Sequence, residues 1–142
     1  MRITFLLPIL LVASLSGCNT KSLRLANYDL SNAINKASIT TIQLEQAGQL
    51  TQTQATPLLS AFYTMSEESD AISKCIDNTN AGGNAAGCIT PLLSAINTQS
   101  AEASIGVKST TAQATMSLVI TGITAVFSEF ASAGAAAPTG SN

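Results

Sequence analysis

Few side chains in this chain are able to carry chemistry, and their spacing limits what they can do. Cys75 and Cys88 flank a stretch rich in glycine and asparagine. A pair of thiols can close a disulfide or help to hold a metal, but two thiols with no histidine anywhere make a poor zinc site. Glu67, Glu68 and Asp70 form an acidic cluster of the kind that binds cations or works as an acid–base pair. On a helix, however, Asp70 and Lys74 lie one turn apart, and the cluster reads as a solvated face carrying an ordinary i,i+4 pair. Asp77 to Cys88 has the length of a calcium-binding loop, yet it places Thr79, Ala81 and Cys88 at positions three, five and twelve. Oxygen ligands and a bidentate glutamate belong there, so the loop fails as a calcium site. Without histidine there is no Ser-His triad and no common general base. Glycine-rich phosphate loops and dinucleotide fingerprints are missing too. The expectation is a protein that is not an enzyme, with no catalytic residue, no metal site and no cofactor.

The elements that carry these residues read as helices. Leu23, Leu30, Ile34, Ala37, Thr41 and Leu44 recur at helical spacing, with Ile39 and Ile42 widening the stripe. A first helix is therefore expected from about Leu23 to Ala47, with Gly48 as its C-terminal cap. The hexapeptide Thr56-Pro57-Leu58-Leu59-Ser60-Ala61 returns at Thr90 to Ala95, and ten of the nineteen positions from 56 to 74 repeat at that offset. Threonine before proline is a helix start signal, since proline's missing N–H is not needed in the first turn. Two helices built on one start signal are the simplest reading. Thr51 and Gln54 compete as a capping box, which would start the second helix earlier and leave Pro57 inside it. That helix is expected to run to Cys75 or Asp77, residues 77–87 to form a loop, and a third helix to run from Thr90 to about Ile105. A last helix is expected from Ser109–Thr111, with Met116, Ile120, Ile123, Phe127 and Phe130 on one face and Leu118, Val119 and Val126 broadening it. Its apolarity suggests a central core helix rather than a membrane span, because Ser117, Thr121, Thr124, Ser128 and Glu129 interrupt it.

The N-terminus carries the most specific pattern. Arg2 precedes an apolar run from Ile3 to Leu15, which ends in Leu15-Ser16-Gly17-Cys18. Charge, short apolar segment and small residues make a secretory leader, too short for a stable span. The ending resembles the lipobox of bacterial lipoproteins, and the match covers the first 18 residues. The resemblance implies cleavage before Cys18 and attachment of diacylglycerol, with palmitate-type acyl chains, to the Cys18 thiol. The covalent lipid on Cys18 would be the only added group. In lipoproteins of enteric-type bacteria, aspartate directly after the cysteine marks inner-membrane retention. Asn19 stands there, which implies sorting to the outer membrane, facing the periplasm, in a Gram-negative host. Export also settles the reading of the other thiols. In an oxidising compartment Cys75 and Cys88 are expected to form a disulfide, closing a loop of about 14 residues and contributing on the order of 3 kcal/mol.

The expected organisation is a leader over 1–17, a lipidated tether over 18–22, a helical domain over 23–130 and a disordered tail over 131–142. The expected fold is all-α: a small antiparallel bundle of about four helices with one disulfide-pinned hairpin. Six basic and eight acidic residues give a formal charge of −2, and loss of Arg2 with the leader makes it −3. So weak a charge, with 10% charged residues, leaves no footprint for nucleic acid. The expected partners are a membrane, through the lipid and with Lys21 and Arg24 near its headgroups, and a protein of the envelope. The function expected is non-enzymatic: assembly, adaptor or exclusion work by protein contact. The alternative is a carrier of a small apolar ligand or lipid, with a pocket lined by Phe62, Met65, Ile120 and Phe127.

Overall fold

Residues 7–79, 85–105 and 107–133 are described in a computed structural model of the chain, with the backbone alone for 7–19, 102, 104 and 105. Most of the expected tail, residues 80–84 of the loop expected at 77–87, and Gly106 as a stop for the third helix lie outside the described residues. Residues 77–79 and 85–87 of that loop are helical instead, extending α2 and α3 toward each other. The leader is described as backbone only from Leu7, so the lipid-attachment reading of Cys18 also lies outside the described side chains.

The fold is an all-α bundle of four helices: α1 (Leu7–Gln46), α2 (Gln52–Thr79), α3 (Ala85–Ile105) and α4 (Thr110–Ser132). Each helix carries one row of buried residues at alternating three- and four-residue steps. On α2 the row is Ala55, Leu58, Phe62, Met65, Ser69, Ile72 and Ile76. On α1 Leu23, Leu30, Ala37 and Leu44 stand seven apart, with Asn27, Ile34 and Thr41 between them. Ile89, Leu93, Ile96, Ser100 and Ala103 continue the pattern on α3, as do Ala112, Met116, Ile123, Val126 and Phe130 on α4. A period of 3.5 keeps one seam facing its neighbours along the whole helix, which is the packing of coiled-coil-like bundles.

Cross-helix pairs give the directions. Arg24 meets Asp77, and Asn27 meets Ser69 and Ser73, so α1 and α2 are antiparallel. Ser100 reaches Met65 and Cys88 is bridged to Cys75, so α2 and α3 are antiparallel. Thr41 near the end of α1 reaches Met116 near the start of α4, and these two helices pack extensively, which needs the antiparallel sense as well. Helix α1 packs on α2 and α4, α2 also packs on α3, and the α3–α4 seam is the slightest of the four.

The helix ends follow local chemistry. Gly48 adopts φ 72°; its N–H donates to the Glu45 carbonyl at 2.9 Å and the Gln49 N–H to the Leu44 carbonyl at 2.8 Å. This pair of bonds is a Schellman cap, with glycine at the left-handed position as expected. Leu50 then tucks into the core. At the start of α2 the capping box prevails. The Gln54 N–H donates to Thr51 Oγ1 at 3.3 Å and the Thr51 N–H to Gln54 Oε1 at 3.1 Å. Pro57 therefore lies inside α2, and Pro91 lies inside α3. Neither repeated Thr-Pro pair starts a helix, which corrects that expectation. Thr56 Oγ1 instead donates back to the Gln52 carbonyl at 2.9 Å. Pro57 is the sixth residue of α2 and Pro91 the seventh of α3, just past the four N–H groups that have no partner within a helix, so each proline removes one hydrogen bond near its helix's start. The repeat is also buried differently in its two copies: Leu58 is core and Leu92 half-buried, whereas Leu59 is half-buried and Leu93 core. Ser109 caps α4, accepting from the Ala112 N–H at 3.5 Å.

Helix α4 departs most from expectation. It is long and apolar enough to cross a membrane by length and composition, with mean hydropathy 1.5, yet only 22% of that stretch is buried. It lies along one side of the bundle rather than at its centre. The reason is visible in its outer face, where Ala114, Ser117, Thr121, Gly122, Ala125 and Ser128 are exposed. These are small side chains with little area to bury, and the hydroxyls of Ser128 and Thr124 bond to helix carbonyls at 2.7 and 3.0 Å. Leu118, expected to broaden the core face, is 76% exposed instead.

Candidate functional site

Cys75 and Cys88 are joined in a disulfide, with Cα atoms 6.3 Å apart, inside the range such bridges require. The bridge ties the end of α2 to the start of α3. Cys75 is buried and Cys88 exposed, so one side of the bridge faces solvent beside a groove of about 520 Å³ between the two helices. Both thiols are consumed by the bond and neither is left as a nucleophile.

The acidic cluster stays apart from any partner chemistry. Glu67 and Asp70 are exposed and Glu68 is half-exposed. Asp70 and Lys74 share a face, but the expected ion pair does not form. Among the described residues the ion pair found is Arg24 with Asp77, at 3.1 Å. Both pairs lie on exposed surface, where an ion pair gains little from holding two flexible side chains together, so the fold requires neither. No group of His, Cys, Asp and Glu among the described residues is arranged to hold a metal ion.

Other grooves among the described residues are open to solvent. One of about 660 Å³ lies over Thr53, Pro57, Ala61, Gln99 and Lys108 at the end of the α2–α3 pair. One of about 370 Å³ runs over Arg24, Asn27, Tyr28, Ser73 and Asp77. The last, about 350 Å³, lies beside Val107, Met116, Ile120 and Thr124. Phe62 and Met65 are wholly buried in the packed core, and Phe127 and Ile120 are half-buried at its edge. The four side chains expected to line one apolar pocket are therefore not brought together: Ile120 lines a groove, and Phe62, Met65 and Phe127 line none of the four described.

What the bundle does present is a second row on α1. Ile39 and Ile42 do not widen the core stripe; they are 47% and 41% exposed. Leu25 and Tyr28 are 61% and 64% exposed. At 100° per residue these four side chains project from the side of α1 opposite Leu30 and Ile34. Asn32 and Asn35 complete the row between them. The two isoleucines lie near core residues in sequence, but the 3-4-3-4-3 spacing of their own row places them on the outer face. Lys21 is exposed near the Cys18 end of α1, and Arg24, one turn on, is held by Asp77.

No protein-family model matches the chain, and neither a curated protein nor a solved structure shows significant similarity to it.

Proposed function

We propose that this chain is a lipid-anchored protein of the bacterial cell envelope that works by contact between helix faces, not by chemistry. The observation that carries the contact half is the outer face of α1. Large side chains exposed in a row along one helix, with a packed core on the opposite side, mark a surface with a partner. The anchor half rests on Leu15-Ser16-Gly17-Cys18 and the apolar run before it. Helix α1 already runs through residues 18–22, where a separate tether was expected, and a helix that continues from Cys18 into the bundle suits presentation of that face near a membrane. The outer membrane is the site of action in a Gram-negative host, through Asn19 after the modified cysteine. The carrier reading is weaker, because its nominated residues are packed into the core or spread along its edge.

The test is the intact mass of protein extracted from its native membrane, before and after reduction, beside Cys18→Ser. The expected mass begins at Cys18, carries added lipid and gains two hydrogens on reduction of Cys75–Cys88. Unlipidated protein of native sequence in the soluble fraction would overturn the anchor.

A further inference from the structure

The exposed row of α1 reads nearly the same in both directions. Its members are Leu25, Tyr28, Asn32, Asn35, Ile39 and Ile42. The steps between them are three, four, three, four and three. If two copies of α1 lie antiparallel about a two-fold axis between Asn32 and Asn35, Leu25 faces Ile42 of the second copy and Tyr28 faces Ile39. Asn32 faces Asn35 in the middle. Every apolar residue meets an apolar one and every amide meets an amide.

The charges beside the row follow the same symmetry. Arg24 and Glu45 lie on one flank, and Asp29 and Lys36 on the other. In the antiparallel pair the flank positions facing each other place Arg24 against Glu45 of the second copy, and Asp29 against Lys36. Symmetry makes each contact occur twice, so all four charged residues find an opposite charge. A parallel, in-register pair would match only Arg24 with Asp29 and would leave Lys36 and Glu45 without opposites. Among the described residues of a single copy, no side-chain partner meets Asp29, Lys36 or Glu45, and Arg24 holds exposed Asp77. An isologous interface requires one patch to be complementary to itself, and this patch meets that requirement in residue type and in charge.

The geometry points to a second copy of this chain as the partner of the α1 face, paired antiparallel along residues 25–42. The inference deepens the contact reading by naming a partner, and it does not depend on the lipid anchor. The paired stretch is about 26 Å long. One helix face of that length falls short of the roughly 800 Å² per partner of a stable soluble interface. Pairing is therefore reversible in solution and favoured where anchoring on a membrane raises the effective concentration. With both copies anchored, the two Cys18 ends lie at opposite ends of the pair, which then rests along the membrane instead of standing on it.

Site-directed cross-linking of the full chain in membranes tests this. Differently tagged Tyr28→Cys and Ile39→Cys chains are co-expressed and oxidised. The mixed disulfide is expected to exceed either same-site disulfide several-fold, because two copies of position 28 are about 16 Å apart along the axis. A dominant Tyr28→Cys homodisulfide, or no mixed product from chains with native helical circular dichroism, overturns the proposal. Asp29→Lys is expected to lower the mixed product about three- to tenfold, and Asp29→Lys with Lys36→Asp to restore it. Absence of that rescue also overturns the antiparallel register. The intact mass of the same preparation keeps the two readings apart. Lipidated protein without the mixed product defeats the pairing alone, and unlipidated protein that still pairs defeats the anchor alone.

Discussion

Asn27 on α1 and Ser69 on α2 hold each other reciprocally across the core. The Asn27 amide donates to the Ser69 carbonyl at 3.0 Å, and the Ser69 hydroxyl donates to Asn27 Oδ1 at 3.0 Å. Asn27 also donates to Ser73 Oγ at 2.8 Å, and Ser31 Oγ lies 2.7 Å from Ser69 Oγ. Both residues occupy core positions and are almost wholly buried. A buried polar group is tolerated only when its bonds are made, and these bonds are made in one register of α1 against α2. Sliding either helix by a heptad would keep the apolar seam and break the network. That is how a polar residue at a core position specifies alignment.

Asn27→Ala should therefore lower stability by about 2 kcal/mol, since it leaves the Ser69 hydroxyl with a broken pairing in the core. Ser69→Ala in the same chain should cost less than it does alone, giving a coupling of about 1 kcal/mol. Urea unfolding of the four chains measures both, and additive losses would show that the two residues act separately.

At Gly48, an added methyl group would meet no atom within 4 Å, so strain comes from φ 72° alone. Gly48→Ala is expected to cost about 1 kcal/mol and Gly48→Asn less, because asparagine tolerates the left-handed region. Thermal melts of both variants would give that order if backbone conformation is the cause.

The Cys75–Cys88 bridge closes a loop of about 14 residues, and its removal should cost about 3 kcal/mol. For a domain near 100 residues that lowers Tm by roughly 10 °C or more. Comparing melts in oxidising and reducing buffer, with a Cys75→Ser, Cys88→Ser chain as control, checks it. The control should match the reduced protein within error.

Phe62 and Tyr63 are neighbours with opposite surroundings: one is wholly buried and the other is 66% exposed. Phe62→Ala should cost about 3–5 kcal/mol through lost burial and the cavity left behind. Tyr63→Ala should stay within about 0.5 kcal/mol of the native chain. Equal losses in denaturant unfolding would mean that α2 faces its neighbours differently.

The parts of this molecule legible in the sequence are those set by neighbours three or four residues apart. The row from Leu23 to Leu44, the glycine cap at Gly48 and the start of the last helix at Ser109–Thr111 all follow from local spacing and side-chain chemistry. So does the pairing of Cys75 with Cys88, two thiols that flank one short stretch rich in glycine and asparagine. Tertiary structure decided what local patterns leave open. Helix α1 carries two heptad rows, each with two polar members, and the one from Leu23 to Leu44 takes the core with Asn27 and Thr41 in it, leaving Ile39 and Ile42 outside with Asn32 and Asn35. Apolar burial has no direction of its own, so hydropathy alone could not choose between two rows that lie two positions apart, such as Leu23 and Leu25 or Ala37 and Ile39. It could not show that α4 would be apolar yet mostly uncovered, because that depends on how little area its alanines and hydroxyl residues have to bury. Nor could it pair Asn27 with a serine 42 positions away. Such contacts exist only after the helices have chosen their neighbours, and the reciprocal bonds that then form make one alignment better than the rest.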